Sequence, residues 1–222
     1  MLKKIYLSPI GWIIIPVLNL FSFFQRPFMA YGYYNRVTRR LQKFTRISSS
    51  AVLLDKKNLD LGDNTWVGHY SIIDSSYGVK IGEGCQLAAW IGIYSHSSHI
   101  AIRLLGKNYI GTDKHHRVGY QRGAVEIGEY TFVGAQSIIL PGVKIGKGCL
   151  IGAQSLVSKS VPDFSIVTGN PAQVIGDTRR MDRKYLADTS VQMTYFDRQV
   201  VEKYLSEQAA AANEEPTVEA RQ

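Results

Sequence analysis

Aliphatic side chains recur at every sixth position through much of the chain, and a glycine often follows them. Neither an α-helix nor a hairpin sheet has a period of six. A parallel β-helix does, because three short strands form one coil and each coil buries its inward residues by stacking on the next. The sequence therefore predicts a mainly β protein built as a parallel β-helix. The repeated positions are Leu61, Val67, Ile73, Ile81, Leu87, Ile93, Ile127, Val133, Ile139, Ile145, Ile151 and Val157.

The repeat occupies two blocks, residues 59–96 and 125–162, and the residues between them lack it. We expect residues 97–124 to leave the β-helix as a loop, which is where rigid scaffolds often carry binding groups. Beyond Asp182 the apolar residues are three and four apart, which indicates a helical tail. The predicted organisation is an apolar segment and basic connector at 1–58, the β-helix at 59–176 and the helical tail at 177–222.

Residues 5–25 carry no charge, and a helix of that number of residues is about long enough to span a bilayer. Basic residues flank this segment on both sides. Pro16 would kink a helix here. A segment that enters one leaflet and returns, or lies in the interface, fits best. A single span and a capping helix in a soluble protein stay open. A cleaved signal peptide is disfavoured because no small-residue cleavage site follows.

The net charge is +8. The basic residues form no recognisable nucleic-acid reader motif, so we expect no nucleic-acid partner. Basic residues at 26–46 suggest instead an anionic membrane face. The two cysteines, Cys85 and Cys149, occupy inward positions of the repeat, where we expect them buried and unpaired. The expected location is the cytoplasm, at the inner face of the cell membrane.

Two stretches resemble a known family. Residues 93–99 read Ile-Tyr-Ser-His-Ser-Ser-His where the first block ends, and residues 167–176, which contain Gly-Asn-Pro-Ala, follow the second block. Residues 59–176 resemble the hexapeptide-repeat acyltransferases of left-handed β-helix fold. The similar branch contains maltose, galactoside and nodulation-factor O-acetyltransferases and the acetyltransferases of polysaccharide gene clusters.

The resemblance implies left-handed coils, a homotrimer with active sites between adjacent subunits, and acetyl-CoA as the acyl donor without a metal. It also implies a histidine general base just before the extruded loop. His96 matches that position best, and His99 is the second candidate. Such a base suits the chemistry, because a sugar hydroxyl is a poor nucleophile until its proton is accepted.

The donor residues are also implied by the resemblance. The unit that contacts the pantetheine arm reads Phe132-Val133-Gly134-Ala135, and Ala153 matches the small residue one coil further on. Ser158 and Lys159 match the pair at the adenosine end, where a cation suits the phosphates. Gln154 and Gln173 depart from the family pattern, and Arg179 or Arg180 could replace the cation missing at 173.

The expected function is an O-acetyltransferase acting on a saccharide of a surface polysaccharide. The alternatives are an N-acyltransferase acting on an amino sugar, a zinc carbonic anhydrase and a non-catalytic trimeric scaffold. The carbonic anhydrase would take three ligands from His69, His96, His99, His115 and His116, whose spacing does not match that family. Side chains that could contact the acceptor are Tyr94, Arg103, Tyr109, Tyr120 and Arg122.

Overall fold

The computed structural model describes residues 8–214 and contains stacked parallel coils, which confirms the predicted β-helix. An N-terminal helix and a hairpin precede the coils, and three helices follow them. The helices are α1 (Pro9–Phe24), α2 (Ala101–Leu105), α3 (Thr178–Asp182), α4 (Thr189–Thr194) and α5 (Arg198–Glu214). The strands up to the extruded loop are β1 (Met29–Asn35), β2 (Arg40–Ser48), β3 (Val52–Leu54), β4 (Leu59–Leu61), β5 (Trp66–Val67), β6 (Ile72–Asp74), β7 (Val79–Ile81), β8 (Gln86–Leu87), β9 (Gly92–Tyr94) and β10 (His96–Ser97).

Three parallel sheets form the faces of the solenoid. The remaining strands are β11 (Gln121–Arg122), β12 (Val125–Ile127), β13 (Phe132–Val133), β14 (Ile138–Ile139), β15 (Lys144–Ile145), β16 (Leu150–Ile151), β17 (Leu156–Val157), β18 (Ser165–Gly169) and β19 (Ala172–Asp177). The first sheet runs β2-β5-β8-β13-β16-β18, with β1 and β19 paired antiparallel at its two ends. The second sheet runs β3-β6-β9-β14-β17, and the third runs β4-β7-β12-β15.

The six-residue repeat forms the solenoid core. All twelve repeated aliphatic side chains are at most 3% exposed. Burying each of them contributes about 1.5–3 kcal/mol relative to leaving it in water. The small polar residues that also point inward bond to the next coil, as when Thr131 Oγ1 and Ser137 Oγ donate to the carbonyls of Gly146 and Gly152 at 2.9 Å.

The two cysteines are buried and free, as predicted. Burial raises the pKa of the Cys85 thiol to about 12 and that of the Cys149 thiol to about 11. Both thiols are therefore protonated at neutral pH and serve as packing groups rather than nucleophiles.

The glycines after the aliphatic residues lie where neighbouring coils approach most closely. A Cβ added at Gly128 would lie 2.4 Å from the backbone nitrogen of Lys147, and one added at Gly134 would lie 2.5 Å from that of Ala153. Because these neighbours are backbone atoms of the next coil, they cannot move aside without breaking the ladder. Close packing between coils therefore explains the glycine pattern in the sequence.

The β-helix begins earlier than the sequence pattern predicted. Arg46 pairs with Trp66 and β3 pairs with β6, so residues 46–58 belong to the first coil rather than to a connector. The buried Asn35 fixes the preceding hairpin to this coil through hydrogen bonds from Nδ2 to Asp60 Oδ1 (2.8 Å) and the Leu61 carbonyl (3.0 Å). The prediction missed this coil because it offers only two regularly spaced aliphatic residues, Ile47 and Leu53, and because Leu53 is eight residues from Leu61 instead of six.

Within residues 8–214, no helix is both long enough and apolar enough to cross a membrane.

At the C-terminal end of the chain, the helical tail packs on the coils of the β-helix. The Phe196 ring stacks on Tyr130 with centroids 4.7 Å apart, and Asp197 Oδ2 lies 2.6 Å from Lys147 Nζ. The C-terminal segment thus covers one corner of the later coils.

Candidate active site

The extruded loop leaves the solenoid between the second and third sheets. Its two ends pair antiparallel, with His96 of β10 opposite Arg122 of β11. Ser95 is buried below this pair, and its carbonyl accepts a hydrogen bond from Gly123 N at 3.0 Å. The two ends of the loop are therefore held together where they leave and re-enter the solenoid. This holds His96 at the edge of a rigid coil.

A buried carboxylate from the preceding coil faces His96. Asp74, the last residue of β6, is 6% exposed, and its Oδ2 lies 3.3 Å from His96 Nδ1. This distance is in ion-pairing range, although the contact does not meet hydrogen-bond geometry. Nδ1 is buried and has no hydrogen-bond partner among the described residues. Asp74 is thus the carboxylate that lies nearest this nitrogen in the described ion pairs.

The rest of the imidazole is enclosed by aromatic rings. Tyr120, from the returning end of the loop, stacks on the His96 ring with centroids 5.5 Å apart and planes 11° from parallel. Tyr77 meets it edge-on at 6.0 Å. The Arg122 guanidinium lies over both tyrosines, at 5.5 Å from Tyr77 and 5.3 Å from Tyr120. Burial raises the pKa of Tyr120, which therefore stays a neutral phenol at physiological pH. The His96 side chain keeps 29% exposure.

His99 has a different environment. It is exposed, and its Nδ1 lies 2.7 Å from the hydroxyl of Ser97. No carboxylate forms an ion pair with it among the residues the structure describes. His96 therefore fits the role of an oriented base better than His99 does, although the sequence offered both.

The remaining histidines are dispersed. His69 contacts Ser48 Oγ through Nδ1 at 2.6 Å, on a different corner of the solenoid. His115 and His116 are exposed on the loop, where His116 pairs with Asp113 at 3.5 Å. Across the described part of the chain, no three His, Cys, Asp or Glu side chains are grouped closely enough to hold a metal ion.

The predicted acceptor residues lie at different distances from the base. Tyr120 and Arg122 contact the His96 environment directly, as described above. Tyr94 lies on the outward face of the second sheet, and its ring covers the backbone of Gly92, which has no side chain. Tyr109 stacks with Arg117 at 4.1 Å, and Arg103 donates to the carbonyl of His99. The last two residues therefore organise the loop itself.

The predicted donor residues line one corner between the first and second sheets. Phe132 points outward and is 46% exposed, and Gly134 packs against the next coil. Ala135 and Ala153 follow at equivalent positions of consecutive coils. Their backbone N–H groups donate no hydrogen bond to any acceptor in residues 8–214. Two free N–H groups one coil apart could bind the amide carbonyls of an extended ligand.

Ser158 and Lys159 lie at the next corner, between the second and third sheets, and both are exposed. Thus the structure does not bring all predicted residues into one pocket of a single chain. The structure also adds residues that sequence reasoning did not select, chiefly Asp74 and Tyr77. Asp74 could have been noticed as an acid at the same corner as His96, one coil earlier.

Comparison with known proteins agrees with this architecture. A family model described as bacterial transferase hexapeptide (six repeats) matches residues 124–159, and one described as hexapeptide repeat of succinyl-transferase matches residues 59–94. Protein CapG of Staphylococcus aureus is 36% identical over 126 residues, which cover 56% of this chain and 68% of CapG.

Two further proteins are also similar to this chain. YvoF of Bacillus subtilis (strain 168), named as an acetyltransferase, is 45% identical over 65 residues, which cover 29% of this chain and only 38% of YvoF. A solved galactoside acetyltransferase in complex with coenzyme A is 25% identical, with a TM-score of 0.50, over 60% of this chain and 62% of that protein. The repeat matches and the extent of the similarity to CapG show that the chain belongs to the hexapeptide-repeat acetyltransferase family.

Proposed function

We propose that this protein is an O-acetyltransferase that transfers the acetyl group of acetyl-CoA to a hydroxyl of a saccharide. The observation that carries the proposal is the pair formed by His96 and the buried Asp74 at the base of the extruded loop. A carboxylate facing Nδ1 favours the tautomer with a proton on Nδ1, which leaves Nε2 free to accept a proton. Tyr120 and Tyr77 keep the imidazole plane fixed.

In the proposed reaction His96 Nε2 accepts the proton of the acceptor hydroxyl as its oxygen attacks the thioester carbonyl. The tetrahedral intermediate collapses with cleavage of the carbon–sulfur bond. The imidazolium then returns the proton to the departing thiolate, giving an acetyl ester and coenzyme A. Asp74 stabilises the transient imidazolium, which is the role that a buried, oriented carboxylate can perform.

The donor site of the proposal is the corner that carries Phe132, Gly134, Ala135 and Ala153. The free N–H groups of Ala135 and Ala153 suit the amides of a pantetheine arm, and Gly134 lets the two coils that carry them approach closely. Ser158 and Lys159 would meet the phosphates at the adenosine end. Lys159 supplies a mobile positive charge there.

We also propose a homotrimer. The outward residues of the second sheet form an apolar column in which Val52, Ile72 and Ile138 are 37–46% exposed. The corresponding column of the third sheet alternates in charge, since Asp60, Lys80, Glu126 and Lys144 are neighbours in register. The apolar face is that of the second sheet, next to His96, and the charged face is that of the third sheet. Because apolar surface gains more from burial, we propose that the subunits associate through the second sheet.

A homotrimer would also complete the site. A cavity of about 810 Å³ in the single chain is lined by the C-terminal segment and does not include His96. His96 and the donor corner lie on opposite edges of the second sheet, so a neighbouring subunit would bring one protomer's base beside another's donor groove. Light scattering tests this, because Ile138→Gln should reduce the trimer to smaller species and the matched Lys80→Gln should not. A wild-type monomer would refute the assembly.

The acceptor belongs, in this proposal, to a surface polysaccharide made at the inner face of the cell membrane. The test is release of coenzyme A from acetyl-CoA in the presence of neutral sugars, nucleotide sugars, lipid-linked oligosaccharides and amino sugars. Products are then treated with hydroxylamine, which cleaves acetyl esters and leaves acetamides intact. Cleavable product supports O-transfer. Product that resists hydroxylamine would assign N-acyl transfer to an amino sugar instead.

A further inference from the structure

The N-terminal part of the chain exposes many large apolar side chains that acetyl transfer does not use. Along α1, Gly11 is the one buried residue among those whose burial is described, and one exposed stripe has helical spacing. The hairpin of β1 and β2, with the residues just before it, adds more apolar groups. The stripe consists of Ile10, Ile13, Val17, Leu20 and Phe21, with 48–73% exposure, and the hairpin region adds Phe28, Tyr31, Tyr34, Leu41 and Phe44, with 57–75% exposure.

The same part of the chain carries the whole net charge of the protein. Eight of the 26 basic residues and none of the 18 acidic residues lie in residues 1–54, so the other 168 residues have 18 of each sign and are neutral. The hairpin contributes four exposed cations that form no ion pair within the described chain. They are Arg36, Arg39 and Arg40 at the hairpin tip and Lys43 on β2.

The combination of exposed apolar side chains and unpaired cations fits one class of partner. A second copy of the same surface would bring two positively charged segments together without a single acid between them, which disfavours self-association here. Nucleic acid would match the charge but not the exposed aliphatic groups of α1, since its binding surfaces are polar and basic. A bilayer with anionic headgroups matches both, because aliphatic side chains enter the acyl boundary while Arg and Lys stay among the headgroups.

We propose that α1 and the β1–β2 hairpin form a docking surface for an anionic lipid bilayer. This deepens the proposed membrane-face location and rests on it. The hairpin strand β2 continues into the first coil, and His96 lies on the third coil. Coils are about 4.8 Å apart, so the base is roughly 10 Å along the solenoid from the docked strand. Docking therefore places the active site close to the headgroups, within reach of a saccharide that is anchored in the bilayer.

The experiment measures flotation of the full-length protein with lipid vesicles. One set contains about one third phosphatidylglycerol in phosphatidylcholine, and the other contains phosphatidylcholine alone. Each cation near an anionic surface contributes roughly fivefold to the partition coefficient, so Arg36→Gln with Arg39→Asn and Arg40→Gln should reduce binding roughly 100-fold. Asn is chosen at 39 because that residue has a positive φ of 56°. Ile13→Ser with Phe21→Ser should weaken binding by a similar factor.

The matched control removes three exposed lysines from the neutral part of the chain, Lys107→Gln with Lys184→Gln and Lys203→Gln, and should bind like the wild type. The proposal is overturned if the wild type stays unbound at low salt, if the control loses as much binding as the arginine variant, or if Ile13 and Phe21 are needed for self-association instead. Acetyl transfer to a soluble acceptor is measured on every variant. Retained activity with lost flotation in the variants supports docking, while transfer by a wild type that never floats refutes docking and leaves the proposed acetyl transfer intact.

Discussion

Replacing Asp74 with asparagine tests the proposed division of labour between the carboxylate and the imidazole. Asp74→Asn keeps the size of the side chain and removes its charge. The wild-type oxygen lies 3.3 Å from Nδ1 of His96. At an effective dielectric constant of about 20, two opposite unit charges at that distance attract each other by about 5 kcal/mol. This attraction is an upper bound on the contribution of Asp74. Water reaches the partly exposed His96 side chain and screens this attraction.

With that screening we expect about 2 kcal/mol of lost transition-state stabilisation, or roughly a 30-fold decrease in kcat. The KM for acetyl-CoA should stay near the wild-type value, because Asp74 acts through His96 and is not among the residues proposed to bind coenzyme A. Asp74→Glu should recover part of the activity. The assay is steady-state thiol release from acetyl-CoA with the acceptor found in the panel above.

The matched control uses a second Asp–His pair in the same loop. Asp113 lies 3.5 Å from His116 Nδ1, and both side chains are largely exposed. Asp113→Asn should leave kcat unchanged. In a His96→Ala background, Asp74→Asn should have no further effect, since a residue that acts through His96 has nothing left to position. An equal decrease in both backgrounds would show that Asp74 contributes only to folding and would refute the reasoning.

Three other predictions follow from the coil packing, the donor corner and the C-terminal segment. Gly128→Ala should cost about 1–3 kcal/mol of stability and lower the melting temperature, whereas Gly111→Ala, with its nearest neighbour 3.9 Å from the added Cβ, should not; equal melting temperatures would contradict the close approach of the coils. Lys159→Gln should raise the KM for acetyl-CoA several-fold without changing kcat, and the change should vanish in high salt; an altered kcat at unchanged KM would place Lys159 elsewhere. Burial raises the pKa of the Asp197 carboxyl, but the hydrogen bond and charge of Lys147 together with the backbone N–H groups of Val200 and Gln199 outweigh burial and hold the pKa below its usual value. The pair therefore stabilises the fold above about pH 4 and is lost as pH falls further, so Asp197→Asn should lower the melting temperature at pH 7 and much less at pH 3, with Glu202→Gln as the exposed control; a pH-independent loss would contradict the ion pair.

The inward residues of the solenoid could be predicted from the sequence because a period of six has few structural solutions. Ile127, Val133 and Ile139 are all at most 2% exposed, as their spacing requires. The first coil escaped prediction because Ile47 and Leu53 are only two spaced residues, the step from Leu53 to Leu61 is eight residues, and the surrounding cations suggested a connector.

The candidate site was predictable only in part. His96 could be chosen because the repeat ends there, but its partner lies 22 residues earlier and becomes a neighbour only through the stacking of coils. Coil length changes from 20 residues between Trp66 and Gln86 to 18 between Phe132 and Leu150, so residues that are neighbours across coils have no constant separation in the sequence. Tyr120 covers His96 because the aperiodic loop turns back onto the coil, and no pattern specifies that return.

The most direct test of the account is the rate of acetyl transfer from radiolabelled acetyl-CoA to a saccharide by wild-type protein and by His96→Ala. We predict that the variant loses roughly 10²–10⁴-fold in kcat while binding coenzyme A as the wild type does. A His96→Ala variant with unchanged turnover would contradict the assignment of His96 as the general base.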